Sequence, residues 1–253
     1  MRRELRAVLV RALAYGLVLE LMLVAAVLYW PQFRDNVPAI LRLVPGKVMG
    51  GMVAAMASKG AQGYVIFQHF FKGCHLLGGA AAAIFAASAV AGEVHRGTLE
   101  IWLALPFSRL RLLSERYVAG LLAVVVPIVA TSTSIPWLLS FVKEDASVGP
   151  WFTASLHEST FLAALYSATF LVSALGSHPT AIAFGALLVM VLEFALYLVM
   201  EATHASFYRL ADIEDFTRIF DRGALDASVI LPLAAFSLLC FAGAQIAFAR
   251  RVP

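Results

Sequence analysis

The sequence predicts an all-α, polytopic membrane protein: six transmembrane helices, a short cytoplasmic helix between spans two and three, and an outer interfacial helix before span six. Three observations carry this. The 253 residues are 61% hydrophobic and 14% charged, with a mean hydropathy of +0.85, whereas soluble domains run at about 25% charged. Such an apolar surplus cannot be hidden in one soluble core, because a chain of this length must still cover itself with polar surface. The apolar residues are gathered into runs of about 20, the length that crosses a ~30 Å hydrocarbon core as a helix with every backbone amide satisfied internally. Finally, residues 93–116 form the one long charged segment between two spans that also carries its own apolar stripe.

The expected spans, within a single domain over residues 1–253, are about Ala12–Trp30, Tyr64–Ala91, Val118–Val142, Trp151–Leu175, Thr180–Met200 and Ala227–Ala249. The first is interrupted only by Glu20 and the fifth only by Glu193. The fourth is the weakest, with His157 and Glu158 near its start. The basic N-terminus resembles that of a signal peptide, but the apolar stretch behind it is too long and lacks a small-x-small cleavage site, so it reads as a retained first span. An even number of spans places both termini on one side. Arg2, Arg3, Arg6, Arg11, Arg96, Arg109, Arg111, Arg116, Arg250 and Arg251 then share that side, and the retention of Lys and Arg inside makes it cytoplasmic.

Two segments are expected outside. Residues 31–63 hold three prolines and the apolar stretch VPAILRLVPGKVMGGM, read as one or two interfacial helices. Residues 202–223 carry Phe207, Leu210, Ile213, Phe216 and Phe220 at spacings of three and four, one face of an amphipathic helix stopped at Gly223. A net charge of +3 fits arginines beside anionic headgroups and gives no support to nucleic-acid binding. Cys74 and Cys240 lie in apolar runs without a CxxC partner, which argues against a disulfide framework or a zinc site. His69 and His75, six apart, do not share an i, i+4 edge, so metal ligation is not expected.

The segment GEVHRGTLEIWLALPFSRLRLL begins at Gly92. Gly97 is expected to break span two, and Thr98 to cap a short helix with Glu100 in its first turn, where the helix dipole favours a carboxylate. Leu99, Trp102, Leu103 and Leu105 give this helix an apolar side, Pro106 ends it, and Ser108 caps the helix that carries Arg109 and Arg111 into span three. The product is a short helix along the membrane face, braced by two long ones.

These residues carry a resemblance. Glu93, Gly97, Thr98, Leu99, Glu100, Pro106, Ser108 and Arg109 match the recurring loop of ABC-2 type permeases, the membrane subunits of ATP-binding-cassette exporters, and YVIFQHFFKGCHLL resembles the opening of their second span. The resemblance implies that the loop holds a coupling helix docking into a groove on a separate nucleotide-binding subunit, with Trp102 and Leu103 in the contact. It implies two ATPase subunits carrying ATP and Mg, and a second permease copy or paralogue. This chain itself is expected to bind no cofactor or metal and to have no catalytic residue, since GxxxxGK[ST] is absent and Gly46-Lys47 is followed by neither Ser nor Thr. The expected setting is a prokaryotic cytoplasmic membrane, in contact with lipid and with room for an accessory extracytoplasmic protein.

The stripe could rest on headgroups alone, which Trp102 suits equally. Glu20 and Glu193 either line a route or interface, or are acids hydrogen-bonded to a neighbouring helix. Prolines 127, 136 and 232 bend their spans. Rival functions are a permease-like subunit that transmits force to a partner without cargo, and an intramembrane enzyme; for the latter no GxSxG is present and Ser177-His178 falls in a short turn.

Overall fold

The computed structural model describes residues 2–43, 47–104, 106–199 and 201–251. Among them there are helices and no strands. Six helical stretches are long and apolar enough to cross a membrane: Val8–Leu43, Gly60–Ala89, Arg109–Phe141, Val148–Leu175, Pro179–Leu198 and Ala227–Ala249. One lies at each of the six expected crossings. We label the helices α1 (Arg2–Leu43), α2 (Lys47–Ser58), α3 (Gly60–Val65), α4 (Gly79–Ala89), α5 (Ala91–His95), α6 (Leu99–Leu103), α7 (Arg109–Phe141), α8 (Val148–Leu175), α9 (Pro179–Leu198), α10 (Ile213–Arg222) and α11 (Ala227–Ala249).

α8 is the central post. It packs against α11, α4, α7 and α9, and 61% of its most apolar stretch is buried, against 11% for α9. This resolves the weakness of the fourth run in sequence. His157 and Glu158 are tolerated because they lie inside protein, not against lipid. α1 and α7 run side by side in the same direction. Gly16 meets Pro127, the Glu20 carboxylate accepts from the Ser134 hydroxyl at 2.9 Å, and the Trp30 indole N–H donates to Glu144 at 2.8 Å.

The first helix corrects the expected boundary at Trp30. α1 runs on through Pro31 and Pro38 to Leu43, a length of roughly 63 Å at 1.5 Å per residue, about twice the hydrocarbon core. A proline inside a helix costs about 3 kcal/mol through a lost hydrogen bond and a clash. Packing offsets it here: Trp30 and Phe33 are buried against Tyr64, with ring centroids at 5.4 and 4.6 Å. The expected interfacial helices of residues 31–63 are therefore the end of α1 and the separate α2. Val44, Pro45 and Gly46 lie outside the described residues, as does Met200 at the expected end of span five.

The second span is continuous from Gly60 but π-helical between Ile66 and Gly78. Its hydrogen bonds close five residues apart instead of four, which brings the Cys74 thiol to 3.8 Å from the His69 ring. The segment before the last span is also not one helix. Two 3₁₀ turns, Thr203–Ala205 and Phe207–Ala211, precede α10, and Asp212 starts the new helix with a capping box, accepting from the amides of Glu214 and Asp215. Burial pushes the Asp212 carboxyl up to about 6, against the opposing pull of those amides. α10 ends at Gly223, whose φ of +69° is the left-handed stop expected there. Its apolar face meets the bundle, with Phe216 fully buried and stacked on Phe70 at 4.7 Å.

Gly120 lets α7 and α8 approach, since a Cβ there would stand 2.2 Å from the buried Tyr166 hydroxyl. Gly120→Ala is expected to cost about 1–3 kcal/mol by overpacking, and adding Tyr166→Phe, which deletes the clashing oxygen, to restore most of it. Thermal unfolding of the three variants in detergent measures this.

Candidate functional site

The segment joining the second and third spans folds as an elbow. α4 stops at Val90, whose φ of −116° interrupts the helix, so the break falls ahead of Gly97. The interruption leaves amides without helical partners. Ser173 of α8 supplies them: its hydroxyl oxygen accepts from the amides of Val90 and Ala91 at 3.2 and 3.0 Å and donates to the Ala87 carbonyl at 2.8 Å. α5 then runs to His95, and Gly97 turns the chain with a φ of +67° that only glycine adopts without strain.

Glu93 organises the turn and α6. Its carboxylate is buried and is bonded by the Arg96 guanidinium at 2.6 Å and the Thr98 hydroxyl at 2.5 Å, with the Arg116 guanidinium at 3.3 Å. The expected cap is thereby corrected. Thr98 makes no side-chain bond to the first turn of α6; its hydroxyl turns instead to donate to the Glu93 carboxylate, a charge-assisted bond. Arg116 comes from α7 and lies 4.4 Å over the Trp102 ring, a cation–π contact that joins α6 to α7. Trp102 meets Phe248 of α11 edge-on at 6.0 Å.

The caps continue the bracing. Ser108 accepts from the Arg111 amide at 3.3 Å and starts α7, as expected. Arg109 donates to the carbonyls of Phe248, Ala249 and Arg251 at 3.3, 2.9 and 2.7 Å, capping the C-terminus of α11. Arg251 in turn donates to Ala174 and Gly176 at 2.7 and 2.6 Å, capping α8, and partial burial pulls its guanidinium below its ordinary value. Cations at helix C-termini meet both orphan carbonyls and the negative end of the dipole. The elbow is thus tied to α7, α8 and α11 together.

The apolar stripe faces inward. Leu99 and Trp102 are buried and Leu103 is half-buried, while Leu105 lies outside the described residues. The outward side presents Glu100, Ile101, Pro106 and Phe107, with Ile101 70% exposed. A partner reaching the elbow meets these residues, not the stripe.

The two membrane acids are not brought together. Glu20 is held by Ser134 of α7, with the hydroxyl 2.9 and 3.1 Å from its two oxygens. Glu193 sits in the last third of α9 and accepts from the Phe207 amide at 3.1 Å, fastening the 3₁₀ turn folded over that end. His69 and His75 also separate. His69 bonds Ser132 at 2.9 Å, whereas the His75 ring lies 3.7 Å from the Glu158 carboxylate, both buried. Sequence reasoning missed this last pair, whose members lie far apart in the chain and are marked only as polar residues in two apolar runs. It also missed Ser173, which carries no local signal.

The six crossings and the elbow between the second and third define a multi-pass membrane protein. The family model of the ABC-2 family transporter proteins matches residues 4–221, and the chain belongs to that family. No match was found among curated proteins or among solved structures.

Ser173→Ala would leave the Val90 and Ala91 amides buried without their partner. The expected loss is about 1–3 kcal/mol, large for the removal of a single oxygen, and read as a lower midpoint of thermal unfolding. Ser173→Thr, which keeps the hydroxyl, should recover part of it.

Proposed function

We propose that the chain is the membrane-spanning permease subunit of an exporter, coupling ATP hydrolysis by a separate nucleotide-binding subunit to movement of a substrate across a prokaryotic cytoplasmic membrane. Both termini and the elbow then face the cytoplasm, ATP and Mg reside on a pair of ATPase subunits, and a second permease copy or paralogue completes the complex. Family membership supports the permease role, and the arginines gathered at the elbow end support the orientation.

The observation that carries the coupling role is the two-sided construction of the elbow. One side is fastened through Glu93, Arg116, Trp102 and Arg109 to the spans around it. The other exposes Ile101 and Phe107 on a short rigid arm. An apolar residue exposed beside Glu100 and Arg111 is unsuited to bulk water but suited to a groove on a soluble partner. A displacement of that arm is delivered to α7 and α11 at once, because Arg109 and Arg116 cannot move without them. Two arrangements of the spans, biased by the nucleotide state of the partner, then give loading and release.

The expected contact is therefore Ile101 and Phe107, with Glu100 and Pro106 beside them. Ile101→Asp combined with Phe107→Asp should reduce co-purification of the ATPase subunit at least about tenfold while the permease still inserts and unfolds at the wild-type temperature. Undiminished co-purification would remove the elbow from the contact. Stimulated ATP hydrolysis in liposomes with no cargo moved would favour the force-transmitting alternative.

A further inference from the structure

At the elbow end of the bundle a cavity of about 130 Å³ opens between α1, α4 and α7. Among the described residues its wall carries Arg11, Arg96 and Arg116 and the carboxylate of Glu93. Arg96 and Arg116 are shared with Glu93, whereas Arg11, exposed near the start of α1, has no ion-pair or hydrogen-bond partner among the described residues. A cluster of guanidinium groups is a donor set that recognises a phosphate.

The cavity continues into a groove of about 690 Å³ between α1 and α7, sharing Val8, Ala119 and Ala123 with it. The groove wall is almost wholly apolar, with Leu9, Val118, Leu122 and Val126 exposed along it. From Glu115 to Val126 the helix rises roughly 16 Å, about the depth of one leaflet of a ~30 Å core. A cationic pocket at headgroup level joined to an apolar channel one leaflet deep fits one class of molecule.

We propose that the cavity and groove together bind one anionic glycerophospholipid from the leaflet on the elbow side, its phosphate held by Arg11 and Arg96 and one acyl chain lying between α1 and α7. The Arg11 guanidinium, unpaired among the described residues, favours a headgroup with net negative charge over a zwitterionic one. Because the phosphate draws on the Arg96 guanidinium that also bonds Glu93, occupancy of the site is felt by the elbow. The site is a property of this chain alone and is independent of any ATPase partner.

The test is titration of the purified chain with dioleoyl phosphatidylglycerol, dioleoyl phosphatidylcholine and glycerol 3-phosphate, read as bound complexes by native mass spectrometry. Phosphatidylglycerol is expected to bind at least about tenfold more tightly than phosphatidylcholine, with glycerol 3-phosphate weaker still. Arg11→Gln should weaken phosphatidylglycerol about fivefold and Arg11→Gln with Arg96→Gln about 25-fold, while phosphatidylcholine is unaffected. Arg11→Lys should retain most of the binding. Should the double variant not fold, the exposed Arg11→Gln change decides alone. Equal binding of the two lipids, indifference to Arg11→Gln, or glycerol 3-phosphate binding as tightly as the lipid would overturn the proposal. The last outcome would mark a free-phosphate site instead.

Discussion

Taking a carboxylate out of water is tolerable only where several donors replace its hydration, and at Glu93 two guanidinium groups and a hydroxyl do so. Those donors come from the turn after α5, the N-terminal side of α6 and the early part of α7. Satisfying one buried charge therefore requires three consecutive elements to hold one geometry. The rest of the elbow depends on that requirement. Arg116 is placed over Trp102, Trp102 against Phe248, and the start of α7 within reach of the α11 carbonyls that Arg109 caps. Charge-assisted bonds of this kind are worth about 1.5–3 kcal/mol each, enough to keep ordered a short helix that could not persist alone.

Polar side chains elsewhere in the bundle do the same kind of work inside apolar surroundings. Ser173 mends the backbone where α4 breaks, Ser134 holds Glu20, and Glu193 fastens the 3₁₀ turn folded over its end of α9. Where lipid offers no competing water, a hydroxyl or carboxylate from a neighbouring helix is the available partner. The outcome is a bundle in which α8, despite its buried histidine, glutamate and serines, is well enclosed, and α9, with little but apolar side chains, lies at the edge.

The six crossings and the existence of a structured elbow were legible because both are written in local composition: apolar runs of the right length, and Gly97, Pro106 and Ser108 at element boundaries. What was not legible depends on distant partners. The prolines from Pro31 onward read as part of a separate outer segment, yet α1 continues because Trp30 and Phe33 find Tyr64. The π-helical register of Ile66–Gly78 changes which residues stack, and no 3.6-residue periodicity reveals it. The pairing of His75 with Glu158 and the help Ser173 gives Val90 both join residues from distant parts of the chain. The amphipathic stripe of α6 was visible, but its facing was not. An apolar face on a short helix serves equally to dock a partner or to seat the helix on its own protein, and here Leu99 and Trp102 seat it.

Amide hydrogen exchange of the segment from Gly97 to Ala104 tests the central claim most directly. If the Glu93 carboxylate fastens the elbow, these amides exchange slowly in the wild type and at least about tenfold faster in Glu93→Ala, with the six spans unchanged. Equal exchange in the two proteins would show that the elbow holds its shape without that carboxylate, and the account of a rigid arm built on Glu93 would fail.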